Sequence, residues 1–448
     1  MKRIKFSALL LALIFIFVGV VGCGQQEVNT PELDEGDLEN LSFDVTAEIS
    51  VGVAPDPKEK QMINSLASEF NQIYPNVTVK TITLQNEYLK EIGQRITAGT
   101  VPDIIFATSE TGYALISNGH LENLEKCIAI EEKTNSEWRN QFYESFMKFG
   151  QKNYNGDQYV LPRSADRVVT HINKRILREA GVDMTKVVNG WTWEDFLDVC
   201  ESVRTYFDNI GKTEQNVIDA YINWEAVMYP IMRSFGVEVF DKDGNVLLDK
   251  NNNAKAALDL MKNLVDKRYI APPNVDSASG NYEGGQGAMM FHSASAKKYY
   301  DLLGEDYDLV TFPLIGNDPK IGAGLAGYGI SSYSSALKKA VAWKFLSFMM
   351  TKEGQEALAD GGLTSMPIRK DLADYTTNKW GKGLESVNLA AYSYKPEYNI
   401  ASDFFLCFPP ENQSDIIQSL ADLVTDYCSG STYNKVITEF KNNIENYT

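Results

Sequence analysis

The sequence predicts an α/β fold in two domains, on three observations. Between Ala47 and Ala107 the apolar pattern switches from period two to helical spacing and back, giving strand, helix, strand, helix, strand, the pattern of βαβ units on a parallel sheet. The 448 residues exceed one ordinary core at about 100–200 residues per domain. Hydrophobic residues make up 44% of the chain, a globular proportion.

The chain opens with Lys2, Arg3 and Lys5, then an apolar run from Phe6 to Gly22 that ends Val20-Val21-Gly22-Cys23. That run is long for a signal-peptide core and short for a spanning helix, so its flanks decide. They resemble the bacterial lipobox, which implies cleavage before Cys23, a lipid on Cys23 and a chain held on the extracytoplasmic face of the membrane. Residues 24–44 carry seven acidic residues, from Glu27 to Asp44, and neither Lys nor Arg. Low hydrophobicity with one sign of charge does not repay the entropy of ordering, so residues 23–45 are expected to form a disordered tether, with folding from near Ala47.

The elements follow in order. Ala47–Val53 alternates as a strand and breaks at Pro55 and Pro57. Met62, Ile63, Leu66, Ala67 and Phe70 recur at helical spacing, and that helix ends near Tyr74-Pro75. Val77–Thr83 is a second strand, and a helix from about Glu87 to Ala98 stops at Gly99. Val101–Ala107, almost wholly apolar, is a strand covered on both faces. Further on, Thr192 reads as the N-cap of a helix with Glu194 and Asp195 in its first turn, and Trp191 and Trp193 read as packing residues. Asp243-Gly244 reads as a hairpin turn between Val237–Phe240 and Val246–Leu248. The run Asp241–Asn245 fails as an EF-hand loop, because its glycine comes two positions early and no Glu stands at the twelfth. Internal repeats and a phosphate-cradling glycine loop are both lacking.

Residues 1–22 contribute three positive charges and no negative one, so removing them takes the formal net charge from −18 to −21. That acidity excludes nucleic acid as a partner and repels anionic lipid headgroups, leaving a covalent anchor as the means of staying at a membrane. Cys127, Cys200, Cys407 and Cys428 have no metal-site spacing. Cys407 and Cys428 either pair or remain thiols. His120, His171 and His292 stand apart from one another, so neither a zinc site nor a His-based triad is supplied, and neither metal nor cofactor is expected.

Several separated segments resemble, in order, the extracellular solute-binding proteins that feed ABC importers. Phe70–Val79 resembles their "F-x-x-x-x-P-x-I-x-V" passage, and Ala98-Gly99 with Pro102–Phe106 their "A-G-x-x-P-D-I-I". Tyr159–Pro162, Ile172-Asn-Lys174 and Ala180-Gly181 resemble the first crossing between lobes. Gly285–Met290 is similar to "G-x-A-A-M", Phe312–Leu314 to the strand after it, and Gly329 to Pro367 to the "A-W-x-F-L-x-F" passage, here Ala342–Phe348. The match spans about residues 47–370 and points to the sugar-binding branch that includes maltose-binding protein. It implies a two-lobe clamp of the periplasmic-binding-protein type (class II), each lobe a mixed sheet flanked by helices. The expected division is 46–163 with 276–325 in the N-terminal lobe and 164–275 with 326–448 in the C-terminal lobe, hinged near 162–166, 275–283 and 323–328.

A neutral sugar presents hydroxyls and flat C–H faces, so its cleft needs polar acceptors and aromatic rings. The resemblance places Glu110 in the loop after the Ile104–Phe106 strand, where the family carries a polar contact, and such loops gather ligands at strand carboxyl ends. It places Asp166 as a cleft carboxylate past the first crossing, with Arg163 pairing with it or reaching the ligand, and Trp224 as a stacking ring. Where many relatives have a stacking tryptophan, this chain has His292-Ser-Ala-Ser295, which makes Ser293 and Ser295 candidate hydroxyl partners. Tyr328 at the third crossing is a further candidate ring, and Asp56 after the first strand a further acceptor.

The resemblance therefore implies a monomeric lipoprotein that captures a sugar or oligosaccharide and delivers it to an ABC permease, with no reaction of its own. The rivals are a surface glycoside hydrolase using paired carboxylates such as Glu110 and Asp166, a sensor or adhesin, and the same clamp holding a polyamine or peptide.

Overall fold

The computed structural model describes residues 35–39, 41–85, 88–164, 166–273, 280–293, 296–362, 365–374 and 379–447. The strands among them are, in chain order, Ala47–Val53 (β1), Val77–Thr83 (β2), Ile104–Thr108 (β3), Val160–Pro162 (β4), Asp166–Arg167 (β5), Val169–Asn173 (β6), Ile218–Asp219 (β7), Met289–His292 (β8), Tyr307–Thr311 (β9), Ile321–Gly324 (β10), Ala326–Ile330 (β11) and Asn399–Ile400 (β12).

The βαβαβ reading of the first lobe holds. β1 lies between β2 and β3, parallel to both, and β11 runs antiparallel to β3 and β4 to complete the order β2-β1-β3-β11-β4. Helix Pro57–Ile73 starts at a proline and buries Met62, Ile63, Leu66, Ala67 and Phe70, the residues whose spacing predicts it. Asp56 is its N-cap, accepting the Lys58 N–H at 2.9 Å, so its carboxylate satisfies a helix end. β3 runs to Thr108, and a capping box between Thr108 and Thr111 starts helix Ser109–Ser117 at once. Glu110 is thus a residue of that helix's first turn, where a loop is expected from the sequence.

The second lobe has the sheet order β7-β8-β6-β9, with β8 and β9 both antiparallel to β6. Thr192 caps helix Trp193–Asn209 by accepting the Asp195 N–H at 3.1 Å, and Trp191 and Trp193 are buried in the core. Phe240 bridges Val246 across the turn at Gly244, whose φ of 81° suits glycine.

The expected division of the chain is corrected at two places. β8 and β9 bond to β6, so residues 289–311 belong to the second lobe, and β11 inserts between β3 and β4 while helices Ala336–Met349 and Lys352–Asp360 pack on β1 and helix Pro57–Ile73, so residues 326–360 belong to the first. β12, β10 and β5 form a small third sheet between the lobes. The chain crosses at 162–166, at 324–326 and again between Trp380, which bonds to Leu372 in the first lobe, and Asn388, which bonds to Asp308 and Leu309 of β9. The predicted crossing at 275–283 is not one: Gly280–Glu283 packs by β7, with the Tyr282 N–H donating to Asp219 at 2.6 Å, and 274–279 lie outside the described residues.

The tether expectation also changes. Glu35–Glu39 is a helix whose Leu38 is fully buried in the first lobe's core, and Glu39 pairs with Lys133 at 2.8 Å. Leu38, with Leu41 and Val45 packed behind it, docks the end of the acidic run. Cys23 and the predicted signal segment lie outside the described residues. Cys407 and Cys428 are unbonded, Cys428 buried and Cys407 exposed, and Cys127 and Cys200 are buried thiols.

Asp219 on β7 is 1% exposed, with one carboxyl oxygen lacking a partner, and burial pushes its pKa up to about 6 against the Tyr282 and Asn281 hydrogen bonds. A raised folded-state pKa means the native state binds the proton more tightly, so this group's contribution falls as pH rises through about 4 to 6 and stays low above. The unfolding free energy of Asp219→Asn minus that of the native protein, from denaturant titrations, is therefore expected to grow between pH 4 and 7, by roughly 3 kcal/mol at most. A difference that is flat with pH counts against the buried carboxyl.

Candidate functional site

One buried carboxylate organises the crossings. Glu59, in the first turn of helix Pro57–Ile73, is 3% exposed. It accepts the Arg163 Nε–H at 2.9 Å and the Tyr328 hydroxyl. Arg163 also donates to Ser164 Oγ at 2.7 Å, and its guanidinium lies over the Phe106 ring, 5.7 Å from the centroid. Burial works against the charge on Arg163, but Glu59 outweighs it and holds the pKa above its usual value. Burial, reinforced by the charge of Glu59, pushes the Tyr328 hydroxyl far up. Tyr328 is fully buried edge-on to Phe106, a strut of the first lobe. Tyr328, expected as a ligand ring, is not among the residues lining the cavity, because its hydroxyl is taken by Glu59 and its ring packs on Phe106.

Next to this anchor a cavity of about 320 Å³ opens between the lobes. The first lobe supplies Phe106, Thr108 and Ser109, and the crossings supply Arg163, Asp166 and the segment from Gly322 to Ala326. Trp224, Glu225 and Ser293 face them from the second lobe. Four predicted site residues, Arg163, Asp166, Trp224 and Ser293, are thus brought to one cavity. Glu110 follows the lining residue Ser109 in sequence, while its side chain and all of Ser295 lie outside what is described. Tyr328 and Asp56 have the structural roles given above.

Burial raises the Asp166 pKa, opposed first by a hydrogen bond from Ser293 and then by the charges of Arg163 and His292. The ion pair of Arg163 within bonding distance is with Glu59, not Asp166. Trp224 is the half-buried N-cap of helix Glu225–Ser234 and makes no side-chain cap bond. Its ring lies 5.7 Å from that of His292 at 37°. The residue that replaces the family's tryptophan therefore still adds a ring to this wall. Gly322 is required where it stands, since a Cβ there would lie 1.9 Å from the Ala226 carbonyl oxygen.

Among the lining groups that escape the sequence reading are Arg167, Ser402 and Phe405. Arg167, beside Asp166, is buried, donates to the carbonyls of Tyr392 and Tyr394, and leaves Nε and one terminal nitrogen without partners. Burial pulls its pKa down to about 9. Ser402 and Phe405 come from the C-terminal region, where no motif marks them. Among the described residues no group of His, Cys, Asp or Glu is placed to hold a metal ion, and no helix is long and apolar enough to cross a membrane.

The sequence profile of bacterial extracellular solute-binding proteins matches residues 65–384. An arabinooligosaccharide-binding protein of Halalkalibacterium halodurans is 28% identical over 116 residues, a stretch covering 26% of this chain and only 23% of that protein. An ABC substrate-binding protein of Listeria monocytogenes, solved with cycloalternan, superposes with a TM-score of 0.70 at 20% identity, over 90% of this chain and 99% of that one. The sugar-binding protein MalE of Xanthomonas citri superposes with a TM-score of 0.72 at 14% identity, over 89% and 96%. These likenesses establish the two-lobe fold of the periplasmic-binding-protein type.

Replacing Glu59 by Gln removes the carboxylate paired with the buried Arg163 guanidinium, a change that typically costs about 3–5 kcal/mol. The urea-denaturation midpoint of the ligand-free protein is expected to fall accordingly. A loss under about 1 kcal/mol, the range of exposed ion pairs, would refute the anchoring role.

Proposed function

The chain belongs to the bacterial extracellular solute-binding protein family, and from that membership we propose that it is the substrate-binding component of an ABC importer for a sugar or oligosaccharide. The observation that carries this is the cavity at the crossings. It combines a half-buried tryptophan with a carboxylate, a guanidinium and a hydroxyl. Trp224 suits the C–H face of a pyranose or furanose ring. Asp166, Glu225, Ser293 and Arg163 supply the acceptors and donors that ring hydroxyls need. Ligand bound to both walls favours the closed arrangement of the lobes by its differential affinity, the population shift a clamp depends on. The relatives named above are described as binding an arabinooligosaccharide and cycloalternan, which supports the saccharide class.

In this reading the protein acts as a monomer that binds without chemistry of its own. It hands its cargo to a membrane permease and is held at the extracytoplasmic face by lipid on Cys23.

A thermal-shift screen of the purified protein against saccharides, with polyamines and peptides alongside, tests the class. Ligand at one hundred times its dissociation constant stabilises by about 2.7 kcal/mol. A saccharide hit is expected, and a polyamine or peptide hit alone would overturn the sugar assignment. Trp224→Ala is expected to weaken the saccharide hit about tenfold, roughly 1.4 kcal/mol, with little change in ligand-free melting. A large fall in that melting point would instead make Trp224 a core residue.

A further inference from the structure

The first lobe carries an exposed apolar face at the end of its sheet remote from the cavity. Phe43 is 63% exposed, Leu337 47% and Ile73 41%. They come from three separate segments that meet near the start of β1. The Phe43 ring lies 5.5 Å from that of Tyr74, the neighbour of Ile73, and the Asn76 amide donates to the Asp44 carbonyl at 3.4 Å. Leu337, in the first turn of helix Ala336–Met349, lines a groove of about 410 Å³ together with Gly36, Leu41 and Val45. Lone exposed apolar side chains are ordinary on a protein surface, but a group drawn together around one groove marks a surface that meets something apolar.

The strands fix which way this face points. β1 and β2 start beside it, at Ala47 and Val77, which are paired in register. β1 and β3 run parallel away from it, and the cavity residues Thr108 and Ser109 stand at and just past the far end of β3. The seven residues of β1 hold the two ends of the sheet about 20 Å apart.

The length of chain beyond this face says what covers it. Gly36 lines the groove, and twelve residues separate its neighbour Glu35 from Cys23. Those twelve reach at most about 43 Å when drawn out. With lipid on Cys23, the face at the root of that tether meets the bilayer at an effective concentration on the order of millimolar, where contacts too weak for a free protein become occupied. Local charge favours the approach, although the protein is acidic as a whole. Glu39 is paired with Lys133 at 2.8 Å, and Glu48, at the start of β1, with Lys80 at 2.7 Å.

We propose that Phe43, Ile73 and Leu337 rest in the lipid headgroup interface, so that the first lobe stands on its base with the cleft turned toward the medium. This rests on the lipidation of Cys23 proposed above and adds the face that meets the membrane. An aromatic ring flanked by branched aliphatic side chains suits that interface, where affinity scales with the apolar area buried.

Fluorescence of the lipidated protein in phosphatidylcholine vesicles, with bromine on the acyl chains as quencher, tests it. The six native tryptophans are buried or half-buried and give a constant background. The emission added by Phe43→Trp is expected to be mostly lost in brominated vesicles and regained when Leu337→Glu is combined with it. The emission added by Ile210→Trp, at an exposed position on the second lobe, is expected to be unchanged. Equal quenching at both positions, or none at either, overturns the membrane face while leaving the anchor in place. A mass spectrum without lipid on Cys23 removes the anchor and the face with it. A dimer of the protein beginning at residue 24, seen by sedimentation and lost in Phe43→Glu, gives the face to a second copy and overturns the lipid assignment.

Discussion

The clamp depends on where Glu59 sits. A carboxylate 3% exposed needs full compensation, and it finds that compensation in Arg163, on the first crossing, and Tyr328, on the strand that follows the second. One buried charge therefore pins both crossings to the same helix turn of the first lobe. Past the pin, β5 and β10 pair antiparallel, Asp166 with Gly324 and Arg167 with Ala323, and the second lobe hangs from that ribbon. Rotation is then confined to a few residues beyond a fixed point, the condition for a hinge. Asp166 stands at the boundary, which makes the residue nearest the pivot also one that lines the cavity.

Bonds across the cleft have another character. Tyr154 donates to the Ser402 carbonyl at 3.4 Å and Asn399 to Ser145 Oγ at 3.3 Å, long contacts beside the 2.9 Å of Arg163 and Glu59. Long hydrogen bonds are weak ones and separate cheaply. The segment from Asn399 to Phe408 thus rides with the second lobe through β12 and the buried Phe404 and Phe405, while touching the first only lightly. Strong bonds at the pivot and weak ones at the lips let the lobes part without loss of their own cores.

Much of the fold is legible in the sequence because local rules agree with the global answer. The run of Met62, Ile63, Leu66 and Phe70, the Thr192 cap and the apolar third strand need no tertiary information. Lobe membership of 276–330 is not legible, because pairing of β8 and β9 with β6, and of β11 with β3, is set by contacts far apart in sequence. Motif position picks out Arg163, Asp166, Trp224 and Ser293, which the fold brings to one cavity. Asp56 and Tyr328 pass the same test and fail in space, since an N-cap and a cavity acceptor use the same residue type, and a tyrosine at a crossing can face either way. Phe405 could not be found: its place in the cavity lining follows only from how the C-terminal region packs there.

The burial of Leu38 sets a leash. Under the lipidation of Cys23 proposed above, and with Leu38 fixed in the core, the intervening chain would span at most about 50 Å when fully drawn out. The folded body would then be confined to a thin layer over the membrane, and its search for the proposed permease would become a nearly two-dimensional one. Were Leu38 free, the leash would lengthen toward Ala47 and the layer would thicken, diluting the loaded protein around its target.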